Sequence, residues 1–352
     1  MKRITAIVLF LLLLTLSTGC SIKKELPDQT VISDSKDVKN PFESDDSNTT
    51  IMGAISHGPT SPKVDENKKL LPWVYNGQDV QLNYFVSASG QAKNVGFLLF
   101  ADGVPQPYKV NSNDAPYEYM HTFALEEDNV EFPLSFYFLP ISGKKGDLVN
   151  ITVASIYNPS FQPDMKETTS YGGYHVLLPA SYPLSIEADP VLPDSLPNMI
   201  NETAYITNEP VTNSLLETLS NSGLRDINND TFNREVFDLM YIDGDIRSDN
   251  YQVNSNGKLH VTYKLCGHSG LKYRTTFYIN HQPVSNSNGV SLDTVIEKGL
   301  VTIIEADIDL EQLGDFSTFY AISVPQNAKD YPDEIFEPSK TQSILLYKKA
   351  IW

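Results

Sequence analysis

Val130-Glu131-Phe132-Pro133-Leu134-Ser135-Phe136-Tyr137-Phe138 alternates large apolar residues with others at a strict period of two. A β-strand turns successive side chains to opposite faces, so this period describes a strand with one face in a core. Tyr117, Tyr119, His121, Phe123 and Leu125 repeat the pattern just upstream. Leu82–Val86, Val95–Phe100 and Val149–Ile156 read as further strands. Turn material separates them: Ser89-Gly90, Asp102-Gly103 and Gly143-Lys144-Lys145-Gly146. Many short strands with no helical period between them predict an all-β chain built as antiparallel sandwiches.

The pattern occurs twice. Tyr84-Phe85-Val86, Ser89-Gly90 and Phe97-Leu98-Leu99 are matched by Tyr263-Lys264-Leu265, Ser269-Gly270 and Phe277-Tyr278-Ile279, close to 180 residues later. An alternating strand follows in each block, at Val130–Phe138 and Ile304–Leu310. A mixed aromatic strand comes next, at Val149–Ile156 and Phe319–Val324, running into loops that hold Pro163-Asp164 and Pro332-Asp333. Each block closes on an apolar strand, His175–Leu178 and Ser343–Tyr347. The shared order predicts two related β-domains in tandem, over 70–188 and 231–352. Between them, 189–230 carries Pro190, Pro193, Pro197 and Pro210 and reads as a connector with a short helical turn at Ser214–Leu219. Strand count and spacing resemble immunoglobulin-like and fibronectin type III-like sandwiches of bacterial surface proteins. No Cys…Trp…Cys frame accompanies the resemblance.

The N-terminus gives a location. Met1-Lys2-Arg3 precedes an apolar run from Ile4 to Leu16, too short for the roughly 20 residues of a spanning helix. A basic start, a short apolar core and small residues before a cut site describe a secretory signal peptide over 1–19. Ser17-Thr18-Gly19-Cys20 resembles the lipobox of bacterial lipoproteins, with Ser17 in place of the usual leucine. The resemblance implies lipid on Cys20 and a protein held at the extracytoplasmic face of a cell membrane. The Lys-, Asn- and Ile-rich style points to a single-membrane bacterium. Acylation of Cys20 leaves Cys266 alone, so no intramolecular disulfide is expected. Residues 20–69, with Ser33-Asp34-Ser35-Lys36-Asp37 and Glu43-Ser44-Asp45-Asp46-Ser47-Asn48, lack a sustained apolar period and read as a disordered tether.

Charge excludes some partners. Loss of residues 1–19 removes two of the 26 basic side chains and none of the 44 acidic ones. A surface that negative repels nucleic acid and anionic headgroups. Chemistry is sparse. His57, His121, His175, His260, His268 and His281 form no His-x-x-x-His pair, and no nucleophile elbow, phosphate loop or dinucleotide fingerprint occurs. Cys266-Gly267-His268 is the nearest approach to a thiolate–imidazole site, and Cys266 reads as a small core residue. Asp243, Asp245 and Asp249 crowd carboxylates that calcium favours, but Arg247 and the spacing depart from an EF-hand, so a solvated acidic hairpin is the plainer reading. Asp307 and Asp309 read as the outer face of a strand. No cofactor and no enzyme activity are expected.

The 19 tyrosines and 16 phenylalanines exceed the needs of two small cores. Trp73 and Tyr75, in Pro72-Trp73-Val74-Tyr75-Asn76-Gly77, are therefore candidate ligand-binding residues. The expected role is non-enzymatic: binding another envelope protein through loops at the sandwich ends. A receptor for cell-wall glycan or polysaccharide stands as the alternative, and a transporter's solute-binding lipoprotein as the third reading.

Overall fold

The computed structural model describes residues 53–160, 176–193, 196–197, 199–223, 226–244, 250–253, 257–285, 289–310 and 314–348. Among the described residues the chain is nearly all β and forms largely antiparallel sandwiches. The first domain contains β1 (Ala54–Pro59), β2 (Trp73–Tyr75), β3 (Val80–Ser89), β4 (Asn94–Ala101), β5 (Val104–Gln106), β6 (Lys109–Val110), β7 (Met120–Ala124), β8 (Phe132–Phe138), β9 (Leu148–Tyr157) and β10 (Leu177–Ile186). One sheet has the order β1-β3-β8-β6; the other has β2-β10-β9-β4-β5, with β7 also on β4. Between them lie Leu82, Tyr84 and Val86 of β3, Phe136 and Phe138 of β8, Phe97 and Leu99 of β4, and Ile151 and Val153 of β9, all buried. The alternation in Val130–Phe138 is the inward set Leu134, Phe136, Phe138.

The second domain uses β12 (Val236–Ile242), β13 (Asn250–Gln252), β14 (Lys258–Gly267), β15 (Lys272–Ile279), β16 (Gln282–Ser285), β17 (Leu292–Val295), β18 (Leu300–Asp309), β19 (Phe316–Pro325), β20 (Ser339–Lys340) and β21 (Ile344–Tyr347). Pairings repeat those of the first domain. β12 joins β14 as β1 joins β3, and β13 lies parallel to β21 as β2 lies parallel to β10. β14–β18 and β15–β19 match β3–β8 and β4–β9. In each domain the first strand sits on one sheet and the next crosses to the other.

Two expected boundaries move. β1 lies inside the span 20–69 read as tether; Gly58 and Pro59 obscure its period, but it pairs with β3 throughout, with His57 opposite Val86. The span 189–230 is more than a connector. It contributes a further strand, β11 (Ile200–Pro210), and a helix α1 (Asn213–Gly223), followed by the short α2 (Asn229–Phe232). β11 pairs with β18 from Glu202 to Pro210 and, at Ile200 and Asn201, with β16, so it links the two sheets of the second domain. It fills the place that the two-residue β6 fills in the first. Thr212 caps α1, its Oγ1 accepting the Leu215 N–H at 3.2 Å. Leu215 and Leu219, one turn apart, pack with Phe232, Leu239, Cys266 and Ile303 over the outer face of the β14–β18 sheet.

The outer faces of β4–β9 and β15–β19 meet. Leu98, Phe100, Met120, Ala154 and Ile156 form one cluster with Tyr278, Tyr320, Ile322 and Val324. Strands covered on both faces read as continuous apolar runs, which explains why Val95–Ala101 is buried at every position. The surplus aromatics expected to face a glycan are thus partly spent on this seam: Tyr278 and Tyr320 stack at 5.1 Å and 13°.

Candidate functional site

Each domain turns from its fourth strand by a two-residue hairpin. Asp102-Gly103 joins β4 to β5, and Asn280-His281 joins β15 to β16. Both residues of each turn have positive φ: 48° and 75° in the first, 49° and 65° in the second. Such turns favour glycine at the second place, yet the second domain carries His281 there. Its side chain explains the choice. The Nε2–H donates to Pro159 O of the first domain at 2.8 Å, so Nδ1 is left to accept the Tyr320 hydroxyl at 2.9 Å. Burial holds this imidazole neutral, lowering its pKa to about 4. Arg274 adds a second bond across the seam, donating to Asp102 O at 2.6 Å while its other nitrogens grip Asp293. Gly103 is fitted just as closely: a Cβ there would lie 2.4 Å from Gln326 Nε2. Lys340 Nζ lies 4.4 Å above the Tyr320 ring and donates to Thr341 O and Ser343 Oγ; burial lowers its pKa to about 7.

Of the candidate ligand pair, Tyr75 is buried and Trp73 is half-buried. Trp73 and Tyr75 are two apart on β2 and so share a face, but that face turns inward. Tyr75 is fully buried and its hydroxyl accepts the Val191 N–H at 3.2 Å. The Trp73 ring packs on Tyr182 at 4.9 Å and rests against the first core. Val74, which points outward, is the exposed member. A shallow cleft beside Trp73 is lined by Pro59, Leu70, Leu71 and Pro183.

The acidic hairpin is placed only in part. Asp243 begins a turn with Gly244 and accepts the Tyr251 hydroxyl; Asp245 and Asp249 lie outside the described residues. No group of three or more His, Cys, Asp and Glu side chains among the described residues is placed to hold a metal ion. Cys266 and His268 part company. Cys266 is buried beneath α1, and burial, with Asp238 nearby, pushes its thiol up to about 12, where the nucleophilic thiolate is scarce. Past the break at Gly267, His268 stands edge-on to Tyr331 and Phe336 and reaches Glu334 at 3.4 Å. Cys20 and residues 1–19 lie outside the described residues, as do His175 and Pro163-Asp164.

That aromatic cluster organises one end of the second domain. The loop from β19 to β20 is braced by Asn327, which accepts the Lys272 N–H at 2.8 Å and donates to Gly270 O at 3.1 Å. Beyond the brace, Arg234, Glu334, Ile335 and Phe336 line an open cleft of about 400 Å³. Ile335 is 85% exposed, the most exposed large apolar residue described. Its carboxylate neighbours Asp333, Glu334 and Glu337 surround it in sequence. The sequence reading pointed to sandwich-end loops in general, but not to this residue, because one isoleucine among prolines and acids has no period.

A buried polar chain recurs in both cores. In the first, the Tyr84 hydroxyl meets His57 Nδ1 at 2.7 Å and the Tyr182 hydroxyl at 3.3 Å. In the second, the Tyr263 hydroxyl meets Ser323 at 2.8 Å and Asp238 at 3.4 Å. Burial raises the pKa of Asp238 and lowers that of His57. Tyr182 also lines the cleft beside Trp73, while the Tyr84 and Tyr263 hydroxyls at the centre of each chain are buried and serve packing.

No protein-family model matches the chain, and no curated protein sequence matches it. Among solved structures it is similar to the fibronectin(III)-like modules of Clostridium thermocellum CbhA (10% identity, 85% of this chain and 94% of that one, TM-score 0.19). It is also similar to the C-terminal domain of the Streptococcus agalactiae antigen I/II polypeptide BspA (11%, 84% and 100%, TM-score 0.20). A third is the Salmonella enterica SafA pilin in complex with the SafB chaperone (8%, 85% and 98%, TM-score 0.22). These TM-scores do not superpose the two-domain architecture, and the sandwich assignment stands on strand order.

Proposed function

We propose that this chain is a non-enzymatic binding module of a bacterial cell envelope, held at the membrane by lipid on Cys20, whose ligand is another envelope protein. The observation that supports it most is Ile335, 85% exposed on a loop that Asn327 braces against the β14–β15 turn. An isolated large apolar side chain on a held loop suits insertion into a partner's apolar pocket, where such anchors dominate binding energy. The seam between the domains favours the same reading, because a rigid body holds its loops at fixed spacing. A glycan receptor has less support: Tyr75 has no exposed face and Trp73 is already packed on Tyr182.

The test is mass spectrometry of what co-purifies with the full-length protein from gently solubilised membranes, for wild type and Ile335→Asp. A near-stoichiometric envelope protein, lost in Ile335→Asp, is the expected result. A partnerless preparation overturns the reading.

A further inference from the structure

β11 offers an open backbone edge. The Val211 N–H donates to Gly299 O at 3.0 Å, which fixes the phase of the strand. With a period of two, residues 209, 207, 205 and 203 turn their backbone groups to β18, and Ala204, Ile206 and Asn208 turn theirs outward. The phase on the far side of β18 agrees: Leu310 N–H reaches Gly257 O, so even-numbered residues there face β14. Among the described strands, only β16 meets the outward edge, at Ile200 and Asn201. Pro210 closes the other end. Between these limits Tyr205 (57%) and Ile206 (42%) are exposed, while Ala204, on the face of Ile206, packs against the second core, so the strand is seated on the sandwich with its far edge open.

The equivalent edge of the first domain is blunted. Asn111, at φ 57°, donates its N–H to Ser135 O and accepts the Ser135 N–H on its Oδ1. Two residues back in the same phase stands Pro133, which has no N–H to offer. These devices normally keep a sheet edge from pairing. Elsewhere on the rim β2 and β13 have only three residues each, while β1 and β12 also end their sheets. Of the two equivalent edges among the described residues, that of β11 is the longer and the open one.

We infer that β11 is a docking edge on which an extended segment of a partner protein adds as a further strand, with a Lys or Arg on its outer face. Added strands gain affinity from the backbone and specificity from alternate side chains. The cation follows from charge. On the outer face, Tyr205 stands beside Glu305 and Thr203 beside Asp307; the two carboxylates share one imidazole, His260, at 3.2 and 2.9 Å, so acids outnumber bases there. A strand added at about 4.8 Å beyond β11 puts a long basic side chain across Tyr205 toward that excess charge. A second copy of this chain, at net −18, is the wrong occupant.

The inference rests on the protein-binding reading and names a surface distinct from the Ile335 loop. The probes are two blocked peptides, one alternating lysine and valine and the other glutamate and valine. Each is added to the full-length protein, and amide hydrogen exchange is followed residue by residue. Expected is slower exchange at Ala204, Ile206 and Asn208 with the lysine peptide alone. Ile206→Pro removes an outward N–H only; it should abolish that effect while Tyr205 and Thr207 stay protected as in wild type. No slowing, slowing that survives Ile206→Pro, or equal slowing by the glutamate peptide overturns the inference. The two readings fail separately. A companion retained equally by wild type and Ile206→Pro overturns the edge and leaves the binding role. A partnerless wild-type preparation overturns both.

Discussion

His281→Gly sets two opposed effects against each other in one residue. At φ 65°, His281 occupies the left-handed region, which costs a side-chain-bearing residue about 1–2 kcal/mol and glycine almost nothing. If turn strain were all, the substitution would stabilise the protein. Against it stand Pro159 O and the Tyr320 hydroxyl, at 2.8 and 2.9 Å, both of which lose their imidazole partner. A buried polar group left unsatisfied costs about 1–3 kcal/mol, and the vacated space adds to the loss. The bonds therefore win by about 2–4 kcal/mol. In a chain this size each kcal/mol shifts Tm by roughly 2–4 °C, so a fall of roughly 4–16 °C is expected in thermal unfolding. The pH profile supplies a second readout. Burial holds the His281 pKa at about 4, below its ordinary value of 6.5. Its contribution is then complete above 6.5 and is lost as pH falls toward 4. Lys340, the neighbouring cation, titrates higher, so the two are separable. His281→Gly should flatten the wild-type decline between pH 6.5 and 4. A variant as stable as wild type, or more stable, refutes the account of why histidine sits in a glycine position.

Lys340→Met should raise Tm, and by more at pH 6 than at pH 9. Burial lowers the folded pKa from 10.5 to about 7, so the cost of burying the amine grows as pH falls through that window; an equal gain at both pH values counts against it. Leu219→Ala should cost about 2–4 kcal/mol and, by loosening α1 over Cys266, speed thiol labelling under native conditions. Unchanged labelling with lowered stability would show that α1 does not gate the thiol. Cys20→Ala should move the protein from the membrane to the soluble fraction; a variant that stays firmly membrane-bound sinks the lipid anchor.

How much was legible depended on whether a strand has one wet face. Leu134, Phe136 and Phe138 alternate because β8 is covered on one side, and the period alone reveals such a strand. Val95–Ala101 and Phe319–Val324 also read as strands, but their continuous apolar character carries a second message: another sheet covers their outer face. Tyr278 and Tyr320 belong to that seam, which no local pattern can name because the partner residues lie more than 100 positions away. β1 and β11 escaped for opposite reasons. Gly58 and Pro59 interrupt the first, and the second is mostly exposed, with only Ala204 on its inner face packed against the core, leaving its period weak. Tyr75 looked like a ligand contact because composition counts aromatics without saying which way they point. Ile335 is not legible in the sequence because exposure of a single residue leaves no pattern there.

The internal repeat constrains which features are architecture and which are divergence. His57 lies opposite Val86 on β3, and Asp238 lies opposite Leu265 on β14. Both therefore occupy one slot of the shared plan, beside the hydroxyl of an equivalent tyrosine, Tyr84 or Tyr263. The plan demands a hydrogen-bonding partner for that buried hydroxyl; it does not specify a base or an acid. The β4–β5 and β15–β16 turns show the same logic, with Gly103 where the chain must pass close to its neighbour and His281 where it must reach across. The edge strands complete it. A two-residue β6, with Asn111 and Pro133 beyond it, closes one sandwich, whereas the connector itself supplies β11 to the other. Sheet order, core tyrosines and hairpins are kept in both copies, and the differences gather at the seam and at the second domain's edge. Selection on a fold alone gives no reason to blunt one edge and leave its duplicate open. Selection for an added strand does.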